Sequence, residues 1–467
     1  MRGYFSLIEV QFEYSWSKAY LRGKARVANA DLAHSNWAAL LWGVVLWAVS
    51  VWAVALGSSN AIAQELAKPK TELGTLLRAV DVHPKTIFKS AEVDAARKRI
   101  SQRISLSDPM LMLGVQNVPT SSFKLNEDMM TAKVVGLSQH FPFPGKLSKE
   151  GDLARTDVSM MEADQLDSKI ALQRDVKIAY FEIYHLQRSV ETDEAHLRSL
   201  AEIIRLAESR LATGKASQQE ILALKIEVAQ IRTDLENEQA LKLMQLSELS
   251  MASGLIGDSI DVVDSLPLEP FFWSVAQLDS IALLHSPMIR AGQVGITSAQ
   301  DGVDRASLAW YPDLDVTLMY MQRNTLGTDP PMKQSDMVSL IFGINLPIWR
   351  GRLDDAQGEQ EALRTSASER LRATTLELHT RLTGLVAKLH GIAMQYLLLR
   401  TELIPLTDLS LTTSRTNYTY GTSSVEQVLR GELDLLHKVH DRYQYEAEYN
   451  KILAQIEYTV GQDLITR

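Results

Sequence analysis

His437 and His440 stand three residues apart in "LHKVHDR", a spacing that puts two imidazoles on one helix face, where they can hold a divalent cation weakly. Helix surfaces carry such pairs without a metal, so they are read as surface histidines and no metal ligand set is assigned. Met110, Met112, Met129 and Met130 are thioethers, the ligand type that suits soft cations such as Cu(I). Their expected role is plainer: lipid-facing or loop side chains. Cysteine is absent, which removes disulfides, thiolate nucleophiles and cysteine zinc sites. No Walker loop, G-x-G-x-x-G, H-E-x-x-H or G-x-S-x-G motif occurs. The expectation is a protein that is not an enzyme and carries no cofactor.

Two turn sequences are more specific. Gly214 in "RLATGKASQQEIL" and Gly421 in "NYTYGTSSVEQVL" suit left-handed helix C-termini, which glycine adopts without strain. Ser217 with Glu220, and Ser424 with Gln427, read as capping boxes that satisfy backbone donors at the next helix start. Each turn thus ends one helix and begins another within a few residues, the grammar of an antiparallel helical hairpin.

The helices so joined are long. Residues 147–209 hold no proline and only Gly151 near their start, and at about 1.5 Å per residue they reach about 95 Å. Residues 352–417 match them, interrupted by Pro405. The partner helices, 217–251 and 424–460, carry apolar seams. Ile221, Leu224, Val228, Ile231 and Leu235 recur with 3-4-3-4 spacing, and Leu433, Leu436 and Val439 continue a similar seam.

The chain also repeats itself. Pro84 pairs with Pro287, Pro109 with Pro312, Pro142 with Pro347, Gly145 with Gly351, Gly214 with Gly421 and Gly254 with Gly461, at offsets that drift only upward from 203 to 207. The expected first repeat is 64–254, with helix 84–106 and strands 108–117 and 132–142 before its hairpin. A linker follows at 255–284. The second repeat, 285–467, has helix 287–308 and strands 312–322 and 336–347.

The strands alternate. Val338, Leu340, Phe342, Ile344 and Leu346 interleave with Met337, Ser339, Ile341, Gly343 and Asn345; Leu314, Val316, Leu318 and Tyr320 interleave with Asp313, Asp315, Thr317, Met319 and Met321. Period two with one apolar face fits transmembrane barrel strands, apolar to lipid and polar to the lumen. Four strands do not close a barrel, since the smallest have about eight, and open edges are not tolerated in lipid. Several copies must therefore share one barrel.

The N-terminus reads as an export signal. Lys18, Arg22, Lys24 and Arg26 precede an uncharged run at 37–56, and Ala61-Ile62-Ala63 supplies a small-x-small cleavage pattern. Residues 1–63 are expected to be removed, and no stretch beyond residue 63 reads as long and apolar enough for a membrane helix. The chain is acidic, with net charge −9, which argues against nucleic acid as a partner.

The segments "DPMLMLGVQNVP", "LSQHFPFPGKL", "RLATGKASQQEIL", "AWYPDLDV" and "NYTYGTSSVEQVL" resemble those of the outer-membrane efflux protein family, the TolC-like channels, across about residues 75–465. "PFPGKL" is most similar to channels encoded with heavy-metal efflux pumps. The resemblance implies an α+β fold, mostly α, in a homotrimer of the cell outer membrane that extends into the periplasm. About twelve strands would form one β-barrel in outer-membrane lipid, continued by a periplasmic α-barrel. Its tips would meet a periplasmic adaptor and an inner-membrane efflux pump of the tripartite, RND-type kind. The alternative reading is a membrane-anchored coiled-coil scaffold or adaptor. By resemblance, adaptor docking falls on Gly214, Lys215, Ser217, Glu220, Gly421, Thr422, Ser424 and Gln427, and the gate on Arg210, Arg415, Tyr418 and Arg430. Tyr418, three residues before the turn glycine, falls where the family places a gate tyrosine. Gln427 and Arg430 stand where some members place lumen-facing aspartates, and Ser423 where an arginine is expected, so the acidic ring and the salt-bridge latch depart from the pattern. Pro142, Pro144, Gly145, Pro347 and Gly351 would turn strand into helix. Some metal-efflux members carry a lipidated N-terminal cysteine; without one, the barrel alone is expected to hold the chain.

Overall fold

A computed structural model describes residues 72–255, 263, 265, 266 and 268–464. The expected export signal lies outside the described residues. Two short elements lead in: α1 (Leu73–Ala79) and α2 (Pro84–Ile104), the latter opened by Pro84 at its first turn with His83 as cap, where a missing N–H costs nothing.

Strands β1 (Met110–Gln116) and β2 (Ala132–Phe141) follow, then α3 (Lys146–Ala212) and α4 (Gln218–Ser253). The order then recurs: α5 (Val275–His285), α6 (Pro287–Leu308), β3 (Leu314–Arg323), β4 (Met337–Ile344), α7 (Arg350–Leu398), α8 (Ile404–Tyr420) and α9 (Val425–Val460). The segment expected as linker therefore ends in a helix, started by a Ser274–Gln277 capping box.

The 67 residues of α3 run unbroken, about 100 Å of helix. Its counterpart does not. A π-turn at Leu399–Leu403 separates α7 from α8, and Pro405 sits in the first turn of α8. Proline lacks the N–H that would bond four residues back, and its ring crowds that carbonyl, so the helix widens by a residue just before it. The α7–α8 run also contains a stretch long and apolar enough to cross a membrane by length and composition alone, which corrects the expectation that none exists beyond residue 63. Met394, Leu397, Leu398, Leu406 and Leu409 are exposed along it.

Helix α3 is the spine. Its middle buries Val176, Tyr180, Phe181, Ile183 and Tyr184 with Leu76, Val80 and Leu249. Lower down, Leu200, Ile203 and Ala207 meet Ile221, Leu224 and Ile231 of α4, Leu411 and Tyr418 of α8, and Val425, Val428 and Leu436 of α9. This is the 3-4 seam, with Val228 and Leu435 half-buried beside it. A third cluster joins Leu382, Val386 and Leu389 of α7 to Ile452 and Ile456 of α9 and Leu278 of α5.

The four strands form one antiparallel sheet in the order β1-β2-β3-β4. Leu111 pairs with Leu137, Leu137 with Leu318 and Leu318 with Leu340; Val135 pairs with Tyr320 and Tyr320 with Val338. These side chains share one largely apolar face, and Leu111, Leu137, Leu318 and Leu340 are all exposed on it. The other face holds Ser138, whose hydroxyl meets Thr317 at 2.8 Å, and His140, 2.8 Å from Asp315. Met110 pairs with Ser138 and Met112 with Gly136, so both belong to this polar face. That overturns their assignment as lipid-facing: cross-strand register, invisible in β1 alone, decides the face. Among the described residues, strands β1 and β4 are unpaired on their outer sides.

Candidate functional site

The chemistry concentrates where the two hairpins end side by side. After α3, Gly214 takes φ 71°, and Lys215 N–H donates to the Arg210 carbonyl at 2.9 Å. After α8, Gly421 takes φ 81°, and Thr422 N–H donates to the Asn417 carbonyl at 2.9 Å. Both are Schellman-type closures that satisfy the last helical carbonyls.

The restarts differ. Ser217 accepts from Glu220 N–H at 3.3 Å, and the Glu220 carboxylate accepts from Ser217 N–H at 3.4 Å, a complete capping box. Ser424 accepts from Gln427 N–H at 3.4 Å, but the Gln427 side chain does not return the bond. Its Oε1 accepts from the neighbouring Ser423 hydroxyl. The second expected box is therefore half a box, and Ser423 is the reason.

Between the tips, Arg210 places its guanidinium 4.4 Å from the centroid of the Tyr418 ring, donates through Nη1 to the Tyr418 carbonyl, and reaches the Lys215 carbonyl at 3.3 Å. Tyr418 is 2% exposed, and its hydroxyl points to Glu220 at 3.5 Å. Burial first, then the Glu220 charge, push this phenol's pKa up. Arg210, Tyr418 and Glu220 thus tie α3, α8 and α4 together.

A second knot lies on the α8–α9 side. Glu432 is 2% exposed and pairs with Arg415, whose Nη2 also reaches Ser199 Oγ on α3. His196 stands 3.4 Å from the same carboxylate. Arg430, by contrast, pairs at 3.3 Å with Glu426 on its own helix and is exposed; it joins neither knot. Glu432 and Ser199 carried no signal in the sequence beyond helical parity with the seam.

The strand-to-helix corners are also unequal. Gly145 caps α3 at φ 101°, whereas Gly351 lies within the first turn of α7, whose cap is Trp349. The glycines align in the repeat without sharing a role. Pro142 follows β2 directly, and Pro144 lies beside Phe143, which stacks on Tyr311 at 4.5 Å. Pro347 precedes a tight bend in which Arg350 N–H reaches the Ile348 carbonyl at 3.1 Å. The residue holding the first corner is Asp313, which accepts from Phe143 N–H at 2.7 Å and Lys146 Nζ at 2.8 Å. Its place after Pro312 in "YPDLDV" was the available clue.

Of the two sequence-singled histidines, His437 is exposed, and His440 is part-buried 2.9 Å from Asp193.

Comparison with known proteins bears on the fold. Residues 89–255 match the model of the outer membrane efflux protein family. The fold is similar to that of the outer membrane protein VceC of Vibrio cholerae, with a TM-score of 0.71 and 18% identity over 84% of this chain and 97% of that one. It is also similar to the MtrE outer membrane channel of Neisseria gonorrhoeae in its open state, with a TM-score of 0.63 and 16% identity over 84% and 89%. CusC, described in terms of transmembrane channel formation, aligns with a TM-score of 0.66 and 17% identity over 84% and 92%. No curated protein matches the sequence.

Proposed function

We propose that this chain belongs to the outer membrane efflux protein family and is the outer-membrane exit channel of a tripartite efflux pump, a passive duct for small solutes or metal cations. One observation carries the reading: a four-stranded sheet open at both edges, with a largely apolar face exposed from β1 to β4. In lipid the unpaired edges must find partners. Three copies would close them into one barrel of about twelve strands.

The helices continue the tube. The unbroken length of α3 suits a conduit reaching far into the periplasm. The exposed apolar stripe on α7 and α8 suits burial against the neighbouring protomer. The hairpin tips, centred on Gly214 and Gly421, dock the adaptor, and the Arg210–Tyr418–Glu220 knot holds the tip closed. Directionality comes from the inner-membrane pump. A membrane-anchored coiled-coil scaffold or adaptor offers no account of the exposed apolar strand faces.

Envelope fractionation of cells expressing the full chain tests the reading. A heat-modifiable trimer in the outer membrane that conducts ions in planar bilayers is expected. A monomer in the soluble periplasmic fraction, or a trimer without conductance, would overturn it.

A further inference from the structure

Three helices bring one side chain each to a common point in the wall above the tips: Asp193 on α3, Glu238 on α4 and His440 on α9. One ligand atom from each lies within 4.8 Å of the other two. Asp193 is 2% exposed, and Glu238 and His440 are part-buried.

Their hydrogen bonding is incomplete in a telling way. His440 Nε2 lies 2.9 Å from Asp193 Oδ1, yet among the described residues neither atom has an aligned hydrogen-bond partner, and Glu238 Oε2 has none either. Asp193 and His440 thus form a close ion pair of poor hydrogen-bond alignment, and beside it the buried Glu238 oxygen has given up water without gaining a hydrogen bond. Atoms that approach without a proton aligned between them are arranged as the ligands of a shared cation are.

Charge points the same way. His440 is the one cationic group in contact with Asp193 among the described residues, and no lysine or arginine contacts Glu238 there. Arg415, the nearby guanidinium, is committed to Glu432. Asp193 and Glu238 face the His440 imidazole, with the His196 ring also near Asp193 but set 3.4 Å from Glu432, and a divalent cation would neutralise the two carboxylates.

We propose that Asp193, Glu238 and His440 bind one divalent transition-metal ion of the zinc class per chain, pinning α4 and α9 to α3. Imidazole nitrogen and carboxylate oxygen suit this ion at about 2.0–2.2 Å, which sets ligand atoms about 3.5 Å apart. Closure asks a shift of about an ångström, which the long Glu238 side chain supplies by rotation. Water completes a tetrahedral shell. This site stands apart from the conduit's cargo, because it is built inside the wall of a single chain.

The test uses the full-length trimer in detergent, stripped with chelator and dialysed. Zn²⁺ is titrated by calorimetry and counted by metal analysis after gel filtration, with Mg²⁺ as the comparison. One Zn²⁺ per chain and a raised Tm are expected, with no response to Mg²⁺. Asp193→Asn and His440→Gln should each weaken Zn²⁺ binding by more than tenfold, since loss of outer-shell partners alone costs about 10–100-fold. His437→Gln should leave binding unchanged. If a variant fails to assemble, Co²⁺ bound to the wild-type trimer supplies the reading: a tetrahedral visible band supports the site, and the spectrum of the aqua ion overturns it. Undiminished Zn²⁺ binding in both variants, or no stoichiometric binding by the wild type, also overturns the proposal. The channel assignment is scored separately by conductance.

Discussion

The guanidinium of Arg210 lies 4.4 Å from the ring centroid of Tyr418, so the end of the first hairpin clasps the end of the second within one chain. The clasp combines a cation–π contact with a hydrogen bond to the Tyr418 carbonyl. A cation–π contact contributes about 0.5–2 kcal/mol, enough to shift a closed–open equilibrium by about 2- to 30-fold. Arg210→Ala should therefore raise single-channel conductance and sensitise cells to large antibiotics. Tyr418→Phe, which loses only a long contact to Glu220, should stay near wild type. Equal conductance in Arg210→Ala and wild type would remove this clasp from the gate.

The tip turns can be separated from the tube they terminate. Gly421→Val places a β-branched residue at φ 81°, at a cost of about 1–2 kcal/mol, beside Arg210 and far from the sheet. Efflux-dependent resistance should fall while trimers on gels persist. Ser217→Ala should do more damage than Ser424→Ala, because only Ser217 sits in a reciprocal box; single caps contribute about 1 kcal/mol. The ranking is read from resistance assays beside trimer gels, and unchanged resistance in all three would place docking elsewhere.

On the sheet, adjacent residues of β4 point to opposite faces. Leu340 pairs with Leu318 on the apolar face, and Ser339 pairs with Met319 on the polar one. An arginine on the lipid face near the bilayer midplane costs about 2–4 kcal/mol. Leu340→Arg should sharply reduce outer-membrane assembly, whereas Ser339→Arg should assemble and lower cation conductance. Assembly of both to equal levels would contradict the facing.

Much of this was legible in order. Glycine and serine punctuation located both hairpins, because φ above zero and an orphaned helix start each demand a narrow choice of residue. What escaped depended on neighbours. The Gln427 side chain was diverted by Ser423, a competition no spacing rule encodes. Gly351 copied Gly145 in position, but only Gly145 turns the chain in a left-handed conformation. Met110 and Met112 changed face because register comes from β2. Pro405 was visible as an interruption, yet its position alone did not say whether it would break, kink or bulge the helix. Asp193 and Glu238 drew no attention because their partner, His440, lies far along the chain.

The middle of the wall has its own ionic anchor. Glu182 on α3 meets Lys451 on α9 at 2.7 Å, with His185 3.7 Å away on its own helix. The His185 imidazole, and then Lys451, hold the Glu182 carboxyl down to about 2 against the opposing effect of burial. A carboxyl whose folded pKa lies below its unfolded value stabilises the fold at pH above about 4.5, and that stability is lost as pH falls through about 2. Glu182→Gln should therefore lower Tm at pH 7, by an amount modest for a part-exposed pair, on the order of 1 kcal/mol. Between about pH 4.5 and pH 2 the gap between variant and wild type should narrow, so it should already be smaller at pH 3 than at pH 5. Thermal melts of the trimer at pH 7, 5 and 3 measure it. A gap that stays constant across that range would show that Glu182 contributes packing alone and that the pairing with Lys451 adds nothing to the wall.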